Sequence, residues 1–136
     1  MGIIILAVVF STFYFYTAPK DYIEPNKTGQ KGFFSESKVN EVEYKCNAKK
    51  FEEGFAILEE INKTQPNHPA LYETMGFCYF MQDNFEKAKY NMHKAIELDK
   101  NNPQTDLGAS PFRTLGWINY ESNKYEEAIQ YFDTAI

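Results

Sequence analysis

The sequence predicts an all-α chain: stacked helix-turn-helix hairpins, preceded by a hydrophobic N-terminal helix and a linker. Three observations predict it. Apolar and small residues recur at three- and four-residue steps, the spacing that places them on one face of a helix. The pattern itself recurs: Phe51, Gly54, Leu58 and Ile61 lie 34 residues before Phe85, Ala88, Met92 and Ala95, and an internal period of this size marks a repeat architecture. Small residues also return as pairs, with twelve residues from Gly76 to Ala88 and twelve from Gly116 to Ala128.

Composition bounds the functional classes. The chain has 136 residues, enough for one domain and a tail. With 43% hydrophobic and 17% aromatic residues it is not a disordered polymer. A net charge of −5 argues against nucleic acid as a partner, because binding to phosphates calls for a basic surplus. Two cysteines are too few for a disulfide-dense scaffold or a cysteine-built zinc site.

The first element, residues 1–19, carries no charged side chain, and Ile3 to Tyr16 is apolar or aromatic except for Ser11 and Thr12. As a helix, that run and its flanks would reach roughly 25–28 Å, just short of the ~30 Å hydrocarbon core. It reads as a membrane anchor or as the apolar part of a signal peptide. Against the signal reading, no Lys or Arg precedes the run, and Tyr16 is too bulky for a small-x-small cleavage site. An N-terminal core helix or strand of a soluble fold is the third option. The side of the membrane stays open. Lys20, Lys27 and Lys31 after the run favour a cytoplasmic downstream domain, whereas a cleaved signal would place it outside, secreted or periplasmic. Residues 20–34, with Pro25, Gly29 and Gly32 and no periodicity, read as a linker.

Residues 35–136 hold 11 basic and 17 acidic side chains, a net −6, and divide into copies at about 35–68, 69–102 and 109–136. In the middle copy Tyr72, Met75, Gly76 and Tyr79 mark one helix and Phe85, Ala88, Met92 and Ala95 the next. Gln82-Asp83-Asn84 is the turn between them, with Asp83 and Glu86 expected as a capping pair. In the last copy Phe112, Leu115 and Gly116 precede Tyr125, Ala128, Phe132 and Ala135, and Ser110-Pro111 is expected to supply an N-cap and a first-turn proline. Pro69 starts the middle copy in the same way. The first copy is the weakest, because Val42 stands where the other two carry glycine. Six extra residues lie around Gln104 to Ala109, since Gly76 and Gly116 are 40 apart.

These residues resemble the tetratricopeptide repeat family, whose pattern runs Trp-x2-Leu-Gly-x2-Tyr, then Ala-x3-Phe, then Pro. The matching positions are Tyr72-x2-Met75-Gly76-x2-Tyr79 with Ala88-x3-Met92, and Phe112-x2-Leu115-Gly116-x2-Asn119 with Ala128-x3-Phe132. Pro66 matches the family's proline, and Lys100 stands at that place one copy later. The resemblance implies a short right-handed solenoid. Its hairpins are stable only by stacking on neighbours, and two and a half to three copies is near the minimum.

No catalytic constellation emerges. His68 lies in an Asn-His-Pro turn and His93 is expected at the surface; neither has a partner at ligand spacing. Glycines form no phosphate loop, and Ser35, Ser37 and Ser110 sit in no nucleophile motif. Acidic pairs such as Glu52-Glu53 and Glu126-Glu127 read as solvated faces. No cofactor and no metal are expected. Cys78 reads as a small buried thiol; a bridge to Cys46 requires neighbouring helices to bring the two together, and the redox compartment stays open.

The resemblance also implies a concave binding face, lined by the first helix of each hairpin. Carried over by position, it comprises Glu73, Phe77, Phe80 and Met81 in the middle copy and Arg113, Trp117, Tyr120 and Glu121 in the last, with Val39, Glu43, Cys46 and Asn47 in the first. Arg113 is the lone cation of the set, unlike the basic clamps that grip a terminal carboxylate. The set therefore points to apolar side chains of a peptide or amphipathic helix. Packing of Phe77 and Phe80 on neighbouring helices is the competing reading. The expectation is a non-enzymatic adaptor that binds a protein or peptide partner, held near a membrane by residues 1–19. The alternatives are a regulatory segment of a larger protein, or an assembly subunit of a permanent complex or homo-oligomer.

Overall fold

The computed structural model describes residues 36–136. The expected anchor at 1–19 and linker at 20–34 lie outside the described residues. Six helices follow in order: α1 (Glu36–Asn47), α2 (Phe51–Thr64), α3 (Pro69–Met81), α4 (Phe85–Lys100), α5 (Ser110–Glu121) and α6 (Tyr125–Thr134). They pair as hairpins α1–α2, α3–α4 and α5–α6, and α3 packs in turn on α1, α2 and α5. The described residues contain no strand. None of their helices is long and apolar enough to cross a membrane.

The turn inside each hairpin is built identically. Lys49, Asp83 and Asn123 adopt φ of 60°, 59° and 58°, the left-handed conformation that ends a helix in a Schellman motif. In each case the next amide reaches back over five residues, from Lys50 to the Lys45 carbonyl, Asn84 to Tyr79 and Lys124 to Asn119, at 2.8–2.9 Å. The 34-residue period is thus written in the backbone from Lys49 to Asp83, including the first copy, where the glycine motif is missing. Two expected caps differ. Asp83 takes the left-handed position, so it is Asn84 that caps α4, its Oδ1 accepting from the Lys87 amide at 3.3 Å. Ala109, without a side-chain cap, precedes α5, while Ser110 is already helical. Pro69 opens α3 as the spacing predicts, and His68 Nδ1 accepts from the Ala70 amide at 3.3 Å.

The glycines sit where helices touch. A Cβ on Gly76 would lie 3.0 Å from Met92 Cε and 3.2 Å from the Ala88 carbonyl, and one on Gly116 would lie 2.6 Å from the Phe132 ring. A Cβ on Gly54 would lie 2.9 Å from Cys46 Sγ. The core of the first two hairpins comprises Val42, Cys46, Leu58, Ile61, Leu71 and Cys78. Val42 is fully buried at the missing-glycine position.

The cysteines are not free thiols. Cys46 of α1 and Cys78 of α3 form a disulfide, with Cα atoms 5.3 Å apart and a separation of 32 in sequence. Both are fully buried. The bridge joins the first helices of successive hairpins, a contact that the sequence pattern leaves undetermined.

Candidate functional site

The first helices α1, α3 and α5 lie side by side, with α3 touching both others. The predicted positions lie on these three helices, and the structure divides them into three kinds.

The first kind is structural. Cys46 is consumed by the disulfide, and Val39 and Phe77 pack, partly buried, on the first core. Phe80 is half-buried and its ring lies 6.1 Å from Phe85, at the far end of the hairpin. Met81 is half-buried at the last turn of α3.

The second kind is an exposed aromatic cluster on α5. Trp117 is 47% exposed and Tyr120 48%. Their rings meet edge-on at 5.7 Å, Trp117 meets Phe132 edge-on at 5.5 Å, and Tyr120 meets Tyr125 at 5.6 Å. Edge-to-face pairs at these distances hold the rings in fixed orientations without hiding them from solvent. Arg113 and Glu121 are exposed on the same helix, and Asn47 is exposed on α1.

The third kind is electrostatic. Glu73 of α3 is half-buried, and burial raises its carboxyl above the usual range. Glu43 and Asp99 repel it in the same direction; a hydrogen bond from the Ser110 hydroxyl and the Arg113 guanidinium act the other way. Burial also raises the Glu43 carboxyl. Glu43 and Glu73 are half-buried on the neighbouring helices α1 and α3, and Arg113 is exposed on α5. Ser110, expected as a helix cap, is the first residue of α5. Asp99, which the sequence did not single out, approaches from the end of α4; its Oδ2 accepts from the Leu107 amide at 3.2 Å.

Elsewhere, Gln65, Pro66, Asn67, His68, Asn102, Gln104 and Thr105 line a cavity of about 410 Å³ between the two inter-hairpin loops. None of the predicted positions lines it. Burial lowers the His68 pKa. His93 is exposed, with its ring 6.3 Å from Tyr131. Among the described residues no group of three or more His, Cys, Asp or Glu side chains is placed to hold a metal ion.

The comparisons with known proteins agree with this architecture. Over 110 residues the chain is 29% identical to the TPR repeat-containing protein YpiA of Bacillus subtilis (strain 168), covering 81% of this chain and 23% of that protein. It thus spans about a quarter of that relative's length. Among solved structures, MamA (residues 41 to the end) from Desulfovibrio magneticus RS-1 superposes with a TM-score of 0.57 at 19% identity, covering 73% of this chain and 52% of that one. The second TPR of Spaghetti (RPAP3), bound to the HSP90 peptide SRMEEVD, also superposes with a TM-score of 0.57 at 19% identity, covering 73% and 86%. At such identities the structures speak for the fold. The sequence model of the tetratricopeptide repeat matches residues 67–136, the two hairpins that carry the glycine–alanine pairs, and the chain belongs to the tetratricopeptide repeat family.

Proposed function

We propose that this chain is a non-enzymatic protein-interaction adaptor, tethered near a membrane through residues 1–19, whose concave face takes apolar side chains of a peptide or helix. The observation that carries this reading is the α5 cluster: Trp117 and Tyr120 stand about half exposed yet locked edge-on. Large preoriented aromatics beside an arginine are the usual material of binding hot spots. The family's use as an interaction scaffold supports it, as does the peptide held by the Spaghetti TPR domain. The structure narrows the candidate contacts. Phe77 belongs mainly to the core, so Trp117 and Tyr120, with Arg113 and Glu121, are the better probes.

The test is a crosslinking pull-down from the native cells with the intact chain and with Trp117→Ala/Tyr120→Ala, both first shown to be folded. Loss of specific partners supports the concave-face reading. Retention of the same partners moves the site elsewhere. One observation favours a second reading, an assembly subunit: Tyr125 is 49% and Ile129 58% exposed on α6. A molar mass that rises with concentration distinguishes it.

For localisation, the disulfide supports placing the repeats in an oxidising compartment, because such bridges are rare where glutathione and thioredoxin keep thiols reduced. Alkylation of acid-quenched cells with a maleimide polymer tests this. An unshifted band in the absence of reductant fits the bridged form, and a doubly shifted band puts the repeats in the cytosol.

A further inference from the structure

We propose that the concave face selects a basic amphipathic segment, with Lys or Arg side chains meeting Glu43 and Glu73 and apolar side chains meeting Trp117 and Tyr120. This rests on the concave-face reading above and names the partner's chemistry.

The argument begins with charge. Glu43 comes from α1 and Glu73 from the next first helix, α3, which packs on α1, and both carboxylates are half-buried. Asp99 adds a third carboxylate near Glu73, and Arg113 with the Ser110 hydroxyl offsets only part of the charge. Partial burial of Glu43 and Glu73 weakens solvent screening, so an incoming cation gains more there than at a fully exposed carboxylate. The surrounding field has the same sign, since residues 36–136 carry 11 basic and 17 acidic side chains, which speeds the approach of a basic partner.

Two alternatives are weaker. A metal ion would also answer the negative charge, but these carboxylates do not converge into a group able to hold one. An acidic peptide such as SRMEEVD, which the Spaghetti TPR domain binds, would add charge to a surface already carrying repelling carboxylates. Like charges brought together in this way are a standard means of rejecting a partner. The aromatic cluster on α5 then requires the cation to sit on a segment with an apolar side. An amphipathic helix with Lys or Arg on one flank meets both demands.

Trp117 is the single tryptophan of the chain, so its fluorescence reports on this face directly. The full 136-residue chain is titrated with three amphipathic peptides of identical apolar pattern, built from Leu with Lys, Gln or Glu. The Lys/Leu peptide is expected to bind and shift the Trp117 emission, with affinity falling as salt rises. The Glu/Leu peptide is expected not to bind. Glu43→Gln/Glu73→Gln lowers the Lys/Leu affinity about tenfold or more, the scale of losing close interfacial charge pairs. Glu59→Gln/Glu60→Gln, on exposed positions of α2, leaves it unchanged. Equal binding of the Glu/Leu peptide, or equal weakening by the two double variants, overturns the proposal, the latter by reducing the effect to general attraction. If the Gln/Leu peptide binds as well as the Lys/Leu one and Tyr120→Ala weakens both, the concave-face reading stands and the basic partner falls. If no peptide moves the Trp117 signal and the Trp117/Tyr120 variant keeps its cellular partners, both fall.

Discussion

The first and last hairpins invert the relation between motif and support. The first hairpin, α1–α2, has Val42 in place of the family glycine and lies outside the family match at 67–136. Yet it is covered: Val42, Cys46, Leu58 and Ile61 are buried with Leu71 and Cys78 of α3, and a disulfide crosses the seam. The last hairpin, α5–α6, carries the glycine and alanine in register, yet its outer helix leaves Tyr125 and Ile129 about half exposed or more. Motif strength reports how well two helices pair inside a hairpin. It does not report how a hairpin is fastened to its neighbour, and in stacked repeats stability is a sum of both terms.

The largest expected effect is at the seam of the first hairpin. A bridge across 32 residues removes loop-closure entropy from the unfolded chain worth about 3–4 kcal/mol. Reduction is therefore expected to lower the unfolding midpoint strongly. Amide exchange is expected to rise first in residues 36–64 and least in α5–α6. Uniform exchange across all three hairpins would mean that the bridge does not act as the fastening of the first. In the last hairpin the matching break lies within the pair. Gly116→Leu drives a side chain into the Phe132 ring, which already lies 2.6 Å from a single added Cβ. Overpacking of this kind costs about 1–3 kcal/mol, read as a shift in the denaturant midpoint.

How much of this was legible in the sequence follows from what repeats. The six helices and the close contacts at Gly76 and Gly116 were readable, because each copy had to solve the same packing problem at the same spacing. The disulfide was not, because Cys46 and Cys78 do not occupy equivalent positions in their copies, and only three-dimensional stacking brings α1 against α3. Ser110 does not cap α5 because the helix starts at Ser110 itself, with Ala109 before it. Likewise Asp83-x-x-Glu86 resembles a capping box, but the left-handed turn shifts the cap by one residue to Asn84. Among the positions taken from the family register, Trp117 and Tyr120 are about half exposed, whereas Cys46 is buried in the disulfide. The partial burial of Glu43 and Glu73 was hidden, since it depends on how α1 and α3 pack.

A smaller effect separates the last hairpin from the middle one. The Tyr79 ring in the middle copy packs tilted against Phe55 at 4.7 Å, whereas its counterpart Asn119 is buried with Oδ1 lacking a hydrogen-bond partner among the described residues. A buried acceptor left unpaired costs about 1–3 kcal/mol. Asn119→Leu is accordingly expected to raise stability by about 1 kcal/mol in chemical denaturation. A loss would mean that the amide has a partner outside residues 36–136.

The smallest effect lies at the junction between the second and third hairpins and has a definite sign with pH. Burial, followed by repulsion from Glu43 and Asp99, raises the Glu73 carboxyl in the folded protein above its unfolded value, despite Ser110 and Arg113. A carboxyl with a raised folded pKa binds protons more tightly in the native state. Its relative stabilisation is complete below the unfolded pKa and is lost as pH rises through the folded one, so at neutral pH the ionised group is a net burden. Glu73→Gln, which keeps an acceptor for the Ser110 hydroxyl, should therefore raise the thermal midpoint at pH 7. The gain should shrink as pH falls toward the ordinary carboxylate range and vanish below it. A midpoint difference that stays constant across that window would assign the gain to packing instead. If Glu73→Gln stabilises the fold and also weakens binding of a basic peptide, the natural carboxylate is retained against stability, which is the pattern expected of a residue kept for recognition.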